Sequence, residues 1–289
     1  MSARQLPIEH ALVRSTVRLL AGPASGDPTS VGTGFFYKVV HPQKDIAKIL
    51  IVTNKHVVRG ADVVHFVLSS ALSVRALDEQ HQPRGHKDQK FMLPLNGNTY
   101  LHPNPNIDLC AIDVTIPVGQ VLQTGAQLRS MFIDSSWLPE PEARPIIRDV
   151  EQVLVVGYPR GLWDSHNNMP IARLGITATH PLAHYQNKRE FLVDVAAFPG
   201  SSGSPVFTYE APMFRQGDGA YTPGTKVQFV GVVWGVVEWN VEGELKVVEI
   251  PSALKQVPVV SSSLSLAIAL HADATLELDA QFFPDRRDV

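Results

Sequence analysis

Short runs rich in Val, Ile, Phe and Thr recur along the whole chain, separated by Gly, Pro, Asn and Asp and not by amphipathic helices. The first half holds "LVRSTVRLLA", "GTGFFYKVV", "KILIVT", "DVVHFVLSS" and "IDLCAIDV". The second holds "QVLVVGY", "ARLGITAT", "REFLVDVAA", "SPVFTY", "VQFVGVVWGVV" and "LKVVEIP". Residues of these types at this run length suit a pleated, half-buried surface. Without helices to cover the sheet faces, the runs must bury one another as barrels or a sandwich. Residues 119–150 are less β-like and contain "LPEPEARP", which reads as a crossover between two β halves. "YEAPMFRQGDGAYTPGTK" reads as a loop joining two strands. Helical periodicity is weak, and its best stretch, 251–270, is interrupted by Pro258.

Composition removes several function classes. The formal net charge is −3 and the basic residues are scattered, so no nucleic-acid or anionic-membrane surface is expected. No apolar run approaches the ~18 residues of a spanning helix, and the N-terminus lacks a signal pattern. The lone cysteine, Cys110, permits no intrachain disulfide, which points to the reducing cytoplasm. There is no His-Glu-x-x-His pair, and "GTGFFYK" lacks the Gly-Lys-Ser/Thr end of a phosphate loop. No cofactor and no metal are expected. His81 and His86 lie in the polar stretch "EQHQPRGHKDQK", read as a solvated loop, and Cys110 reads as a core residue.

Three stretches carry chemistry. "FPGSSGSPVF" sets Ser201, Ser202 and Ser204 in a Gly-rich turn. "ILIVTNKHVV" runs an apolar strand into His56, and "NPNIDLCAIDV" opens a strand on Asp108. A hydroxyl is a weak nucleophile near neutrality and needs a histidine base, itself oriented by a carboxylate. His, Asp, Ser is the chain order of a chymotrypsin-type triad. Ser202, Asp218 and His271 follow the α/β-hydrolase order, but Ser204 stands where that elbow needs glycine, and Pro205 leads into a strand. Asp113 lies too far inside its strand to be the acid.

The ordered set of stretches resembles the trypsin/chymotrypsin-fold serine peptidases, closest to the bacterial high-temperature-requirement branch. "SVGTGFFY", "IVTNKHVV", "IDLCAIDV", "VGYPRGL" with "RLGITAT", "DVAAFPGSSGSPVF" and "VVEIPSAL" match that branch's stretches in order over residues 31–254. The resemblance implies an all-β fold of two antiparallel six-stranded barrels with a C-terminal extension. The expected boundaries are 1–125, a crossover at 126–150, a second barrel at 151–255, and 256–289 beyond it. It makes Ser202 the nucleophile, His56 the base and Asp108 its orienting acid, with the N–H groups of Gly200 and Ser202 as the oxyanion hole. It implies serine endopeptidase activity on polypeptides. An activating protein partner or a latent, binding-only site are the alternatives. Only about thirty residues follow the last matching strand, so no PDZ-like appendage is expected.

Two departures from the digestive enzymes matter. Ser201 stands where they carry an acid that pairs with a new N-terminus, so no activation by N-terminal cleavage is expected. Ala196 stands where Lys/Arg specificity needs an acid; with Ala197 and Phe198 it implies an uncharged, apolar S1 pocket. Trp234 in "VGVVWGVVE" resembles the strand that holds substrate backbone beside that pocket. "PRGLWDSHNNMPIAR", 159–173, corresponds to a regulatory loop in the bacterial branch.

Overall fold

The computed structural model describes residues 7–72, 86–141, 146–217, 219–239, 245–249 and 262–283. The first half forms β1 (Thr16–Gly22), β2 (Ser30–Val40), β3 (Ala47–Thr53), β4 (Val63–Ala71), β5 (Lys87–Pro94), β6 (Thr99–Leu101), β7 (Cys110–Asp113) and β8 (Gln127–Leu128). These pair antiparallel in the order β5-β4-β1-β2-β3-β7-β6, with β8 also on β4, and curl into a half-barrel. The second half forms β9 (Gln152–Gly157), β10 (Ile171–Thr177), β11 (Glu190–Asp194), β12 (Pro205–Glu210), the hairpin β13 (Met213–Arg215) and β14 (Tyr221–Pro223), β15 (Lys226–Trp239), β16 (Leu245–Glu249) and β17 (Ser262–His271). The order β12-β9-β10-β11-β17-β15 closes on itself through β12–β15, giving a six-stranded barrel with β16 hanging from β15. This is the all-β, chymotrypsin-like double barrel.

The period-two alternation of β2 shows why two barrels pack so closely. Phe36 points into the first barrel with Leu19, Ile51 and Phe66, while Phe35 and Tyr37 point the other way, into a shared core. That core joins Leu50 and Val52 to Phe207, Phe229 and Val232 of the second barrel. Phe35 meets Phe229 edge-on at 5.3 Å between ring centroids. The second barrel has its own interior of Val153, Val155, Phe191, Val193 and Val206.

Several details depart from the sequence reading. Residues 262–271 are strand, not helix: β17 pairs with both β11 and β15 and closes the second barrel. The barrel therefore runs beyond the boundary expected at 255 and closes on β17; residues 250–254 of "VVEIPSAL" lie outside the described residues. Leu266, Ile268 and Leu270 alternate with buried Ala267 and Ala269, and it is pairing on both sides that lets a weakly patterned stretch act as strand. Short helices open the chain (α1, Ile8–Arg14), follow β3 (α2, Lys55–Val58), begin the crossover (α3, Thr115–Gln123) and end the described chain (α4, Thr275–Phe282). β5 begins inside the stretch read as a solvated loop; it is an edge strand with no fully buried residue, its Phe91 and Leu93 packing against the first barrel's core. His81 and Asp218 lie outside the described residues. Among the described residues, no helix is long and apolar enough to cross a membrane.

Candidate active site

Each expected triad residue sits at the end of a strand that packs toward the shared core. β3 delivers its apolar face and then yields to Asn54 and α2, which carries His56. The loop before β7 ends in Asp108, and the Gly-rich turn before β12 holds Ser202. The three side chains meet. His56 Nδ1 lies 2.5 Å from Asp108 Oδ2, and His56 Nε2 lies 2.9 Å from Ser202 Oγ. The His56 backbone N–H donates to Asp108 Oδ1 at 3.1 Å, so both carboxylate oxygens engage the same residue. Asn54 Nδ2 donates to the Asp108 carbonyl at 2.7 Å. Lys55 Nζ binds the His102 and Asn104 carbonyls at 3.2 and 3.1 Å, pinning the loop that leads to Asp108. Burial lowers the Lys55 ammonium from its usual range, partly offset by Asp108.

The turn is shaped by two left-handed glycines, Gly200 (φ +88°) and Gly203 (φ +84°). Within it, Ser201 N–H donates to Phe198 O, Gly203 N–H to Val233 O and Ser204 N–H to Ser201 O. The Gly200 and Ser202 N–H groups have no acceptor among the described residues. Ser201 and Ser204 are separated from the histidine by their partners and placement. Ser201 Oγ accepts from Arg173 Nη2 at 3.0 Å and from the Phe198 N–H at 3.3 Å. Ser204 Oγ is buried against Gly157, where a Cβ would come within 2.0 Å of it.

Thr33 is the functional neighbour that sequence reasoning missed. Its Oγ1 donates to Gly200 O (2.8 Å) and accepts from Tyr158 N–H (3.0 Å). Its N–H donates to Ser202 O (2.8 Å), and its carbonyl accepts from Thr53 Oγ1 (2.7 Å). One fully buried threonine of the first barrel thus fixes both ends of the serine turn in the second. Its only trace in the sequence is a Thr between two glycines in "GTGFF". Arg173 was also missed; its guanidinium, held down to about 10 by burial, faces Ser201 from β10.

The expected pocket residues do not share one surface. Ala196 is exposed, and Phe198 is partly exposed under the Arg160 guanidinium. Ala197 packs into the second barrel's interior. Trp234 lies on the opposite face of the sheet with Leu192, Val237 and Ile268. Asp113 is bound to Lys48 at 2.8 Å, and His271 Nε2 bonds the Ala183 carbonyl at 3.2 Å with its ring against His184 and Phe191, so neither sits with Ser202. Cys110 is fully buried, and burial pushes its thiol well above the usual range.

The family model of the trypsin-like peptidase domain matches residues 32–211, more than half of the chain. None of the curated proteins compared matches it. Among solved structures, it is similar to the MamO protease domain of Magnetospirillum magneticum in its apo form. That similarity has a TM-score of 0.41 at 12% identity, covering 84% of this chain and 94% of that one.

Proposed function

The chain belongs to the trypsin-like peptidase domain family, and from that premise we propose that it is a serine endopeptidase acting through Ser202, His56 and Asp108. The observation that carries this is the unbroken relay from Asp108 through His56 to Ser202, at 2.5 and 2.9 Å. Its members come from segments 52 and 146 residues apart.

Ser202 Oγ attacks the scissile carbonyl carbon while its proton passes to His56 Nε2. Asp108 holds Nδ1–H, fixes the tautomer and stabilises the imidazolium. The oxyanion that forms on the carbonyl oxygen meets the Gly200 and Ser202 N–H groups, which have no competing protein acceptor. Preorganised donors of this kind contribute about 3 kcal/mol each. Collapse breaks the C–N bond, and the departing amine takes the proton from Nε2. Water then attacks the acyl-enzyme with His56 as base, releasing the carboxylic acid and restoring Ser202. The test is labelling by a fluorophosphonate probe. We expect one labelled site on the protein and none on Ser202→Ala; an unlabelled native protein would sink the constitutive reading.

One observation favours a second reading, activation by a protein partner: Ser202 has no exposed surface, and His56 only 8%. Under that reading the probe reacts only once a partner has opened the site. A probe that never reacts, whatever is added, would leave the protein as a binding module built on a peptidase fold.

For specificity, we propose an uncharged S1 subsite with Ala196 and Phe198 at its rim, accepting small or medium aliphatic P1 residues. A peptide-library profile is expected to show such residues before the cut. Cleavage chiefly after Lys or Arg would overturn this.

A further inference from the structure

The Gly200 and Ser202 N–H groups stand on either side of Ser201, so whatever fixes Ser201 fixes both oxyanion donors. The turn Phe198–Ser201 is closed by Ser201 N–H on Phe198 O at 2.9 Å, with Pro199 and Gly200 at its centre. Gly200 at φ +88° takes the left-handed position of a type II turn, and proline suits the position before it. In a trans peptide the carbonyl and the N–H point in opposite directions. The Pro199 carbonyl accepts the Arg160 N–H, which turns the Gly200 N–H to the other side. The Ser201 carbonyl accepts the Ser204 N–H at 3.0 Å, which orients the Ser202 N–H by the same rule. Flipping either peptide would remove a donor.

The Ser201 side chain ties this turn together from within. It is fully buried, and its Oγ accepts from the Phe198 N–H at 3.3 Å and from Arg173 Nη2 at 3.0 Å. The second donor comes from another strand, β10, which runs close to the chain leading into the turn: a Cβ on Gly175 would stand 2.4 Å from Asp194 O. Among the described residues that bond is the only one the guanidinium makes, and Nε and Nη1 are buried without a partner. No carboxylate of the described residues is ion-paired with it. Burial alone pulls the group down to about 10.

A buried cation without a counter-charge is costly, and an apolar side chain in its place would be cheaper. Packing therefore does not explain Arg173. What its charge does supply is a charge-assisted bond to the Ser201 hydroxyl, roughly twice as strong as a neutral one. That bond falls on the residue on which both donors depend. Active sites commonly carry a local cost in stability of this kind.

We propose that Arg173 is a positioning residue of the oxyanion hole: by holding the Ser201 hydroxyl it keeps the flanking Gly200 and Ser202 N–H groups aimed at the developing oxyanion. The proposal rests on the reading of Ser202 as the nucleophile, and Arg173 acts through Ser201, not on the reacting atoms.

The test compares the native protein with Arg173→Met, Ser201→Ala and the double variant. Arg173→Met should slow fluorophosphonate labelling about 10²-fold, the scale of losing one oxyanion donor. Peptide cleavage should lose kcat by a similar factor, with KM within about threefold of the native value. Ser201→Ala should slow labelling comparably, and the double variant no more than the slower single one, since one contact cannot be lost twice. Arg173→Met should also raise Tm by a few degrees, because it replaces an unpaired buried cation with an apolar side chain. Hydrogen exchange over residues 198–204 should quicken at least about tenfold, while the rest of the second barrel keeps its protection. Four results would each overturn the proposal. They are a labelling rate of Arg173→Met within about threefold of native, losses that multiply in the double variant, unchanged exchange over 198–204, and faster exchange across the whole barrel with a fall in Tm. Exchange needs no catalysis. If the native protein never labels, the peptidase reading fails by itself, and the exchange result still decides whether Arg173 holds the turn.

Discussion

Asp108→Asn is expected to lower kcat about 10⁴-fold while leaving the fold intact. The carboxylate has two duties that an amide divides. Asp108 Oδ1 accepts the His56 backbone N–H, which the asparagine oxygen can still do. Asp108 Oδ2 faces His56 Nδ1 at 2.5 Å, and there the amide offers N–H where an acceptor is needed. The imidazole answers by moving its proton to Nε2. A protonated Nε2 in the neutral ring donates to Ser202 Oγ instead of accepting from it, so the base is lost with the geometry unchanged. Because Asn54 binds the Asp108 carbonyl and not its side chain, the loop keeps its anchor. The measurement is steady-state cleavage of the best library peptide beside a urea unfolding curve. A kcat within tenfold of the native value would remove Asp108 from the mechanism.

The same loop shows what could be read from sequence and what could not. His56 and Asp108 were legible because each stands where an apolar strand meets a polar turn, and order along the chain linked them to the serine. The choice of Ser202 over Ser201 and Ser204 came from the resemblance; of the three, Ser202 is the one whose Oγ lies 2.9 Å from His56 Nε2. Strands such as β2 and β9 announced themselves as short Val- and Phe-rich runs, buried on both faces in β2. β5 did not, because its first half, Lys87–Lys90, is polar and only Phe91 and Leu93 of this edge strand pack on the core. β17 was misread because its small buried alanines weaken the period-two signal. Thr33 and Arg173 were invisible for a different reason. Their roles are contacts across 167 and 28 residues of chain, and nothing local marks a threonine that will meet a distant glycine carbonyl. The pocket was least legible, since sequence offsets set Ala197 and Trp234 beside Ala196, whereas Ala197, in the segment after β11, packs into the second barrel's interior and Trp234 of β15 packs with Leu192 and Ile268.

Gly203→Ala is expected to destabilise the protein by about 4 kcal/mol or more, a large share of the ~5–15 kcal/mol that holds a typical domain folded. Two effects add. The backbone at φ +84° is one that residues with a Cβ rarely adopt, which alone costs on the order of 1–3 kcal/mol. The added Cβ would also stand 1.9 Å from Thr33 O and 2.6 Å from Thr53 Oγ1. Neither neighbour can retreat freely, because the Thr33 carbonyl accepts the Thr53 hydroxyl at 2.7 Å and both residues lie in paired strands. The strain must therefore open the seam between the barrels, where Thr33 N–H binds Ser202 O. Stability and catalysis should fall together, because the contact that joins the barrels is also the one that positions the nucleophile. Gly97→Ala supplies the control: its φ of +78° is nearly the same, but no atom lies within 4 Å of its Cβ position. It should cost only about 1 kcal/mol and leave kcat untouched. Equal urea midpoints for the two variants would mean that backbone conformation alone sets the cost, and that the barrels do not meet as tightly at Gly203 as these distances require.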